Sequence, residues 1–316
     1  MASVQTVHGP VAPEKLGVTN MHDHLYRGGG MEVIIDSDFL MNDIEKGTQE
    51  LKSFYEAGGR SFVEMMPIGC GRSVNAYLQM AKEVPVNIIA ATGFHKGKFY
   101  ERTHFVHNYS VDQLTQLIVE EVTTGIETHD YNGPFVERSK AKAGIIKGGT
   151  GYYTVSPLEV KMLKAAARAH LETGAPIATH TEYGTMGLEQ LEIFRKEGVN
   201  LERVVIGHLD RNPDPYYHLE VLKSGCYVQY DCASRAKYHS ESFTVDLIKA
   251  LVKAGYGKKI VFGGDLGRKS YFKAYGGGPG LAYILESFVP RLRVEGIPGS
   301  VIEDIWVNNP ARILAF

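Results

Sequence analysis

The sequence predicts an α/β protein that folds as a (β/α)8 TIM barrel, and two observations point to this fold class. Short β-rich runs alternate along the chain with longer segments of helical period, a pattern typical of repeated βα units around a parallel sheet. These runs number eight and span roughly 250 residues, the usual size of such a barrel. Because no linker, change in composition or internal repeat divides the chain, we interpret residues 1–316 as a single domain.

The first predicted strand favours the barrel over a doubly wound open sheet. An open sheet of that kind is expected to carry a glycine-rich turn after its first strand. Here the first strand ends instead with His22-Asp23-His24. The eight predicted strands are residues 17–24, 61–67, 87–94, 144–149, 176–181, 204–209, 227–232 and 260–265.

Two helices between these strands have well-marked ends. Ser156 and Glu159 form a capping box with Pro157 at the first helical position, which predicts a helix that ends before Gly174. A second helix is predicted after Ser110, which begins a Ser-x-x-Gln box. The predicted apolar faces are Val160, Leu163, Ala167 and Leu171 in the first helix, and Leu114, Leu117, Ile118 and Val122 in the second. Residues 96–109 are predicted to be an irregular loop over the barrel.

Composition limits the classes of partner and site. The chain has 34 Lys+Arg against 36 Asp+Glu, so it shows no electrostatic footprint for nucleic acid. Without a signal-peptide pattern or a run of 18 apolar residues, we expect a cytoplasmic protein that does not bind a membrane. The 3 cysteines include no Cys-x-x-Cys pair, which argues against both a disulfide framework and a thiolate zinc site. Any metal must therefore have N and O ligands.

Candidate metal ligands lie at the ends of the predicted strands. On a β-strand, residues i and i+2 face the same way, so His22 and His24 would present two imidazoles in one direction. Later strands end in Lys147, His180, His208 and Asp265. Each histidine alone would be read as an ordinary hydrogen-bonded residue. Because the carboxyl ends of barrel strands carry the active site, the set together predicts a pocket for Zn²⁺ or a similar divalent ion.

Lys147 differs from the other candidates because an ammonium group cannot ligate a cation. Its burial in an apolar strand would be costly unless another group neutralises or uses it. The residues alone leave two alternatives open. The side chain extends to solvent at the barrel mouth, or it has a role in the pocket.

The order His-x-His, Lys, His, His, Asp, together with the closing segment Asn309-Pro310-Ala311-Arg312, resembles the phosphotriesterase-related lactonases of the amidohydrolase superfamily over essentially the whole chain. These enzymes are carboxylic ester hydrolases. The resemblance implies two divalent metal ions, with His22, His24 and Asp265 holding one, and His180 and His208 the other. It also implies that CO₂ converts Lys147 to a bridging carbamate and that Asp265 accepts a proton. Two such ions share a water, lower its pKa to yield a bridging hydroxide, and polarise the scissile carbonyl.

Two basic loops bear on the substrate. Arg235 and Lys237 follow the seventh strand, and Arg268 and Tyr271 follow the eighth. These charges could simply be solvated, but barrels commonly bind phosphate at these loops, often with a helix N-terminus that residues 276–280 could provide. The spacing of Lys237, Arg268 and Tyr271 resembles the phosphate-binding set of the phospho-furanose lactonase branch, which implies furanose 1,4-lactone 5-phosphates as substrates. Arg235 is a further candidate for substrate contact.

Three other interpretations remain open. An acyl-homoserine lactonase or a phosphotriesterase could use the same metal centre, although an apolar entrance would favour either of them more than these cationic loops do. A barrel without catalysis that binds a small metabolite is a different class of protein. The expected partner is a small phosphorylated lactone, and a homodimer is left open because no motif decides the oligomeric state.

Overall fold

A parallel barrel of eight strands forms the centre of the computed structural model, which describes residues 2–316. A small antiparallel hairpin, β1 (Val4–Thr6) and β2 (Gly9–Val11), precedes it. The barrel strands are β3 (Thr19–Asp23), β4 (Ser61–Glu64), β5 (Asn87–Gly93), β6 (Ile145–Thr150), β7 (Ile177–Thr181), β8 (Val204–Gly207), β9 (Tyr227–Tyr230) and β10 (Ile260–Phe262). They are neighbours in chain order. The predicted (β/α)8 barrel and all eight strand positions are confirmed.

The barrel closes where the chain leaves its last strand. The backbone N–H groups of Gly264 and Asp265 both donate to the carbonyl oxygen of His22, each at 3.0 Å. This brings the end of β10 against β3 and joins the two edges of the sheet. β10 ends at Phe262, earlier than predicted, and Asp265 beyond it has a left-handed φ of 47°.

Helices surround the barrel, and the first of them contributes to the lining of the cavity at its mouth. They are α1 (Met31–Ile35), α2 (Ile44–Glu56), α3 (Val74–Glu83), α4 (Val111–Thr123), α5 (Pro157–Thr173), α6 (Gly187–Lys196), α7 (Pro215–Leu222), α8 (Glu241–Lys253), α9 (Val289–Val294), α10 (Gly299–Glu303) and α11 (Asn309–Leu314). No helix within residues 2–316 is long and apolar enough to cross a membrane.

The two helices with predicted boundaries are confirmed, with one correction. Both capping boxes form, and α5 ends at Thr173, before Gly174, whose φ of 77° suits a glycine C-cap. The predicted apolar face of α5 is wrong at Leu171, which is 53% exposed. The buried stripe passes through Leu163, Ala166 and His170 instead, and Leu171 lies about 100° further round the helix.

A cluster of buried side chains inside the barrel lies directly beneath the predicted ligands. All eight barrel strands contribute to this cluster, including Ile145 from β6 and Ala178 from β7. Because side chains alternate across a strand, the next inward positions are Lys147 after Ile145 and His180 after Ala178. The barrel interior therefore changes from apolar packing to polar chemistry within one step along the strands.

Candidate active site

Five of the six predicted metal ligands form a compact group of imidazoles and a carboxylate at the carboxyl ends of the strands. The Asp265 Oδ1 atom lies 3.6 Å from His22 Nε2 and 3.5 Å from His24 Nε2. The ring of His208 lies 4.7 Å from that of His22 and 4.6 Å from that of His180, measured between centroids. This group of N and O donors, on four different strands, suits a zinc-type ion.

Lys147, the sixth predicted ligand, is buried among these imidazoles. Its side chain is only 2% exposed, so the alternative that it extends to solvent is wrong. Lys147 Nζ lies 3.3 Å from His22 Nε2, and no ion pair among residues 2–316 includes Lys147. Burial lowers the pKa of the Lys147 ammonium to about 8, although Asp265 and Asp231 oppose this. Lys147 is therefore a buried cation without an ion-pair partner in this range.

Three side chains that the sequence analysis missed contact the outer nitrogens of the histidines. Glu64 Oε1 lies 3.3 Å from His24 Nδ1, and the Gln229 amide nitrogen lies 2.9 Å from His22 Nδ1. Asp231 contacts His208 Nδ1. Such partners orient metal-ligating histidines. Glu64 and Asp231 had a sequence signal, because each is a polar residue at the end of an apolar strand, whereas Gln229 lies inside β9.

Burial sets the charge of three of the histidine ligands, whereas contacts with Asp265 and Glu64 raise the pKa of His24 against its burial. Burial lowers the pKa of His22 and His180 well below the ordinary value and that of His208 to about 4, so these imidazoles are neutral at pH 7, as ligation requires. The backbone of His208 is left-handed, with φ 59°, as is that of Asp265. Uncommon backbone conformations at two neighbouring ligands are typical of functional sites.

Two buried arginines donate hydrogen bonds to the Asp265 carboxylate. Arg235, a predicted substrate contact, donates from Nη1 to Asp265 Oδ2 at 2.9 Å. Arg211, which the sequence analysis missed, donates to Asp265 Oδ2 and, at 2.9 Å, to Asp231 Oδ1. Burial raises the pKa of the Asp265 carboxyl. Arg235, His208 and Arg211 outweigh this effect and hold that pKa well below the usual range. The ring of Tyr238 lies under both guanidinium groups.

The predicted phosphate-binding residues line the same cavity as the metal ligands, which has a volume of about 440 Å³. Lys237 Nζ lies 5.6 Å from the centre of the Tyr271 ring. Arg268 also faces the cavity, but its Nη1 pairs with Asp36 and lies 3.6 Å from Asp38 Oδ2. The sequence analysis did not foresee these two carboxylates.

The prediction that residues 276–280 provide a helix N-terminus for the phosphate is wrong. Residues 276–280 lie outside the cavity lining. The backbone N–H groups on either side of this segment, from Ala274 and Leu281, donate to the Glu50 carboxylate at 2.7 and 3.0 Å. Glu50 therefore occupies the donors that a phosphate would need.

A pair of charges lies in the cavity beside His180. Lys96 follows β5, and its Nζ lies 3.3 Å from His180 Nε2. It forms an ion pair with Glu182, which follows β7. The predicted loop 96–109 begins here and contains two 3₁₀ turns, at Gly97–Phe99 and Phe105–His107.

Comparison with known proteins agrees with this geometry. The model of the phosphotriesterase family matches residues 2–314. The phospho-furanose lactonase of Mycoplasmopsis synoviae (strain 53) is 41% identical over 322 residues, which cover 99% of this chain and 91% of that protein. A crystal structure of an amidohydrolase from Mycoplasma synoviae matches with a TM-score of 0.97 at 41% identity, covering 100% of this chain and 92% of the other. A lactonase from Listeria monocytogenes matches with a TM-score of 0.92 at 36% identity, covering 99% and 98%. The chain belongs to the phosphotriesterase family.

Proposed function

We propose that this protein is a metal-dependent lactonase that opens furanose 1,4-lactone 5-phosphates. The observation that carries the proposal is the shared cavity, where Lys237, Arg268 and Tyr271 line the wall above the strand-end ligands. The similarity to a phospho-furanose lactonase supports the same substrate class. The proposal includes residues 1–316 acting as one domain in the cytoplasm.

The metal centre is the first part of the proposal. His22, His24 and Asp265 would hold one ion, and His180 and His208 would hold the other. The N and O donors suit Zn²⁺. A carbamate on Lys147 would bridge them, supported by the burial of Lys147 without an acidic partner. When bound, the ions would lower the pKa of a shared water and polarise the lactone carbonyl.

The side chains around the metal centre would have distinct roles in proton transfer and substrate binding. Asp265 would accept the proton of the attacking water, and Arg235 and Arg211 fix the position of its carboxylate. Arg268 offers a fork of donors, Lys237 a compact charge and Tyr271 a hydroxyl, which together match several phosphate oxygens. The lactone carbonyl would thus lie at the centre with the phosphate toward the loops after β9 and β10.

A pH-indicator screen of the zinc-loaded protein tests the proposal. We expect 1,4-lactones that carry a 5-phosphate to be opened at least about 100-fold faster, in kcat/KM, than the same lactones without phosphate, since two charge-assisted hydrogen bonds separate them. An acyl-homoserine lactone and a phosphotriester complete the panel. Faster turnover of either one would assign that sibling activity, and no turnover with metal bound would favour a metabolite-binding barrel.

A further inference from the structure

Lys96 and Glu182 form an ion pair beside His180 that lines the same cavity as the phosphate-binding candidates. We propose that this pair binds the ring hydroxyl next to the lactone carbonyl, so that the site selects hydroxylated lactones over deoxy ones. The inference rests on the proposed function. It assigns a binding subsite to two residues that neither ligate the metal nor reach the phosphate.

The burial of Lys96 beside Glu182 indicates a role beyond joining two loops. Lys96 is 3% exposed and the Glu182 side chain is 18% exposed, and both residues line the cavity. A second lysine, Lys98, has its Nζ 3.7 Å from Glu182 Oε1. Removing opposite charges from water is costly and is often no more stabilising than apolar packing. An ion pair with a buried lysine that lines a ligand cavity is therefore better explained by the ligand.

The chemistry of the pair matches a sugar hydroxyl. A hydroxyl group both donates and accepts hydrogen bonds, a carboxylate only accepts, and an ammonium only donates. Glu182 and Lys96 would thus satisfy both functions of one hydroxyl or of two adjacent ones. The ring of Phe99, whose centre lies 4.9 Å from Lys96 Nζ, lines the cavity beside them and offers an apolar surface to the C–H groups of a sugar ring.

The position of the pair in the barrel matches the shape of the substrate. β5 is the third barrel strand and β9 the seventh, so Lys96 and Lys237 follow strands on opposite sides of the ring. In a 1,4-lactone, the carbonyl carbon is bonded to the ring oxygen and to C2. The ring oxygen is bonded to C4, which carries C5 and its phosphate, so C2 lies on the other side of the carbonyl. With the carbonyl at the centre and the phosphate near Lys237, the C2 hydroxyl points toward Lys96 and Glu182.

The test compares zinc-loaded wild type with Glu182→Gln, using a pentonic acid 5-phosphate and its 2-deoxy analogue as ligands in calorimetry. We expect wild type to bind the hydroxylated acid roughly 10- to 100-fold more tightly, and Glu182→Gln to lose most of that ratio while binding the deoxy acid as before. The kcat/KM ratio of the matching lactones should change in parallel. Glu189→Gln, an exposed site on α6, is the matched control and should keep the ratio.

Several results would overturn the inference. They are a wild-type ratio near 1, an equal loss for both acids in Glu182→Gln, and loss of zinc from that variant, which would assign Glu182 to support of His180. Lys96→Gln is a second variant and should also lower the ratio. If wild type opens no phosphorylated lactone, the proposed function fails, while the calorimetric ratio still decides whether the pair binds the hydroxyl.

Discussion

The strand ends and the mouth loops face one cavity but are held in different ways. At the strand ends, Lys147 and His208 are buried, and a buried side chain, Asp231, contacts His208 from behind. At the mouth, Lys237 is exposed, and Arg268 is only half-buried. Its ion pair to Asp36 joins two loops at the surface.

This difference indicates which substitutions should lower activity toward every substrate and which should lower it toward only some substrates. Side chains fixed by a rigid sheet and by a second contact are preorganised for chemistry, so their loss should impair all substrates alike. Side chains on exposed loops can discriminate between substrates, and each interaction they make is individually weaker. The predictions below test this contrast from the largest expected effect to the smallest.

The largest effect is expected for Lys147→Ala. Without the bridging group, the protein should lose most of its metal and activity, by more than the roughly 10- to 100-fold typical when only a partner of a ligating histidine is lost. Elemental analysis and kcat measure the two losses. A short carboxylic acid added to the variant should restore part of both, and Lys196→Ala, an exposed lysine on α6, should resemble wild type. A variant that keeps two ions and full turnover would exclude the bridging role.

Asp265→Asn should lower kcat by about 10²- to 10⁴-fold, on phosphorylated and plain lactones alike, because it removes the proposed proton acceptor. The variant should fold but melt earlier, since Arg211 and Arg235 lose their shared carboxylate charge. Steady-state kinetics at full metal occupancy, with a melting curve, is the measurement. Wild-type turnover with metal intact would remove Asp265 from the mechanism.

Lys237→Ala and Arg268→Ala should each lower kcat/KM for phosphorylated lactones roughly 10- to 150-fold, the equivalent of one charge-assisted hydrogen bond. A lactone without phosphate, already a poor substrate, should change little. The comparison needs both substrates assayed on the same metal-loaded preparation. Equal losses on the two would mean that these residues only support the loops.

Asp231→Asn should weaken metal affinity about 10- to 100-fold, because His208 loses the carboxylate that contacts its Nδ1. Competition with a chelator measures this affinity. Asp246→Asn, at an exposed position of α8, provides the same chemical change away from the site. If the affinity of Asp231→Asn equalled that of this control, the histidine would need no such partner.

The same contrast explains what could be predicted from the sequence. Histidine, lysine and aspartate at the ends of apolar strands stand out locally, and the barrel then brings those ends together. That Glu64 contacts His24 depends on which strands are neighbours in the sheet, and periodicity alone does not specify this. The pairing of Arg268 with Asp36 joins residues 232 positions apart across two loops, and no local pattern encodes it. The error at Leu171 arose because apolar spacing fits more than one stripe on a helix rich in alanine.

The smallest effect is expected for Asp36→Asn. The Asp36 carboxylate holds the Arg268 guanidinium that the substrate phosphate would need, and the Asp36 side chain is 41% exposed. Exposed ion pairs contribute about 0.2 to 1 kcal/mol, so removing this competitor should lower KM for phosphorylated lactones by up to about 5-fold, with kcat and the plain lactones unchanged. The gain should shrink as salt is added, because salt screens the pair in wild type as well. A higher KM would show the opposite relation, in which Asp36 orients Arg268 for the phosphate and the mouth loops are more preorganised than their exposure suggests.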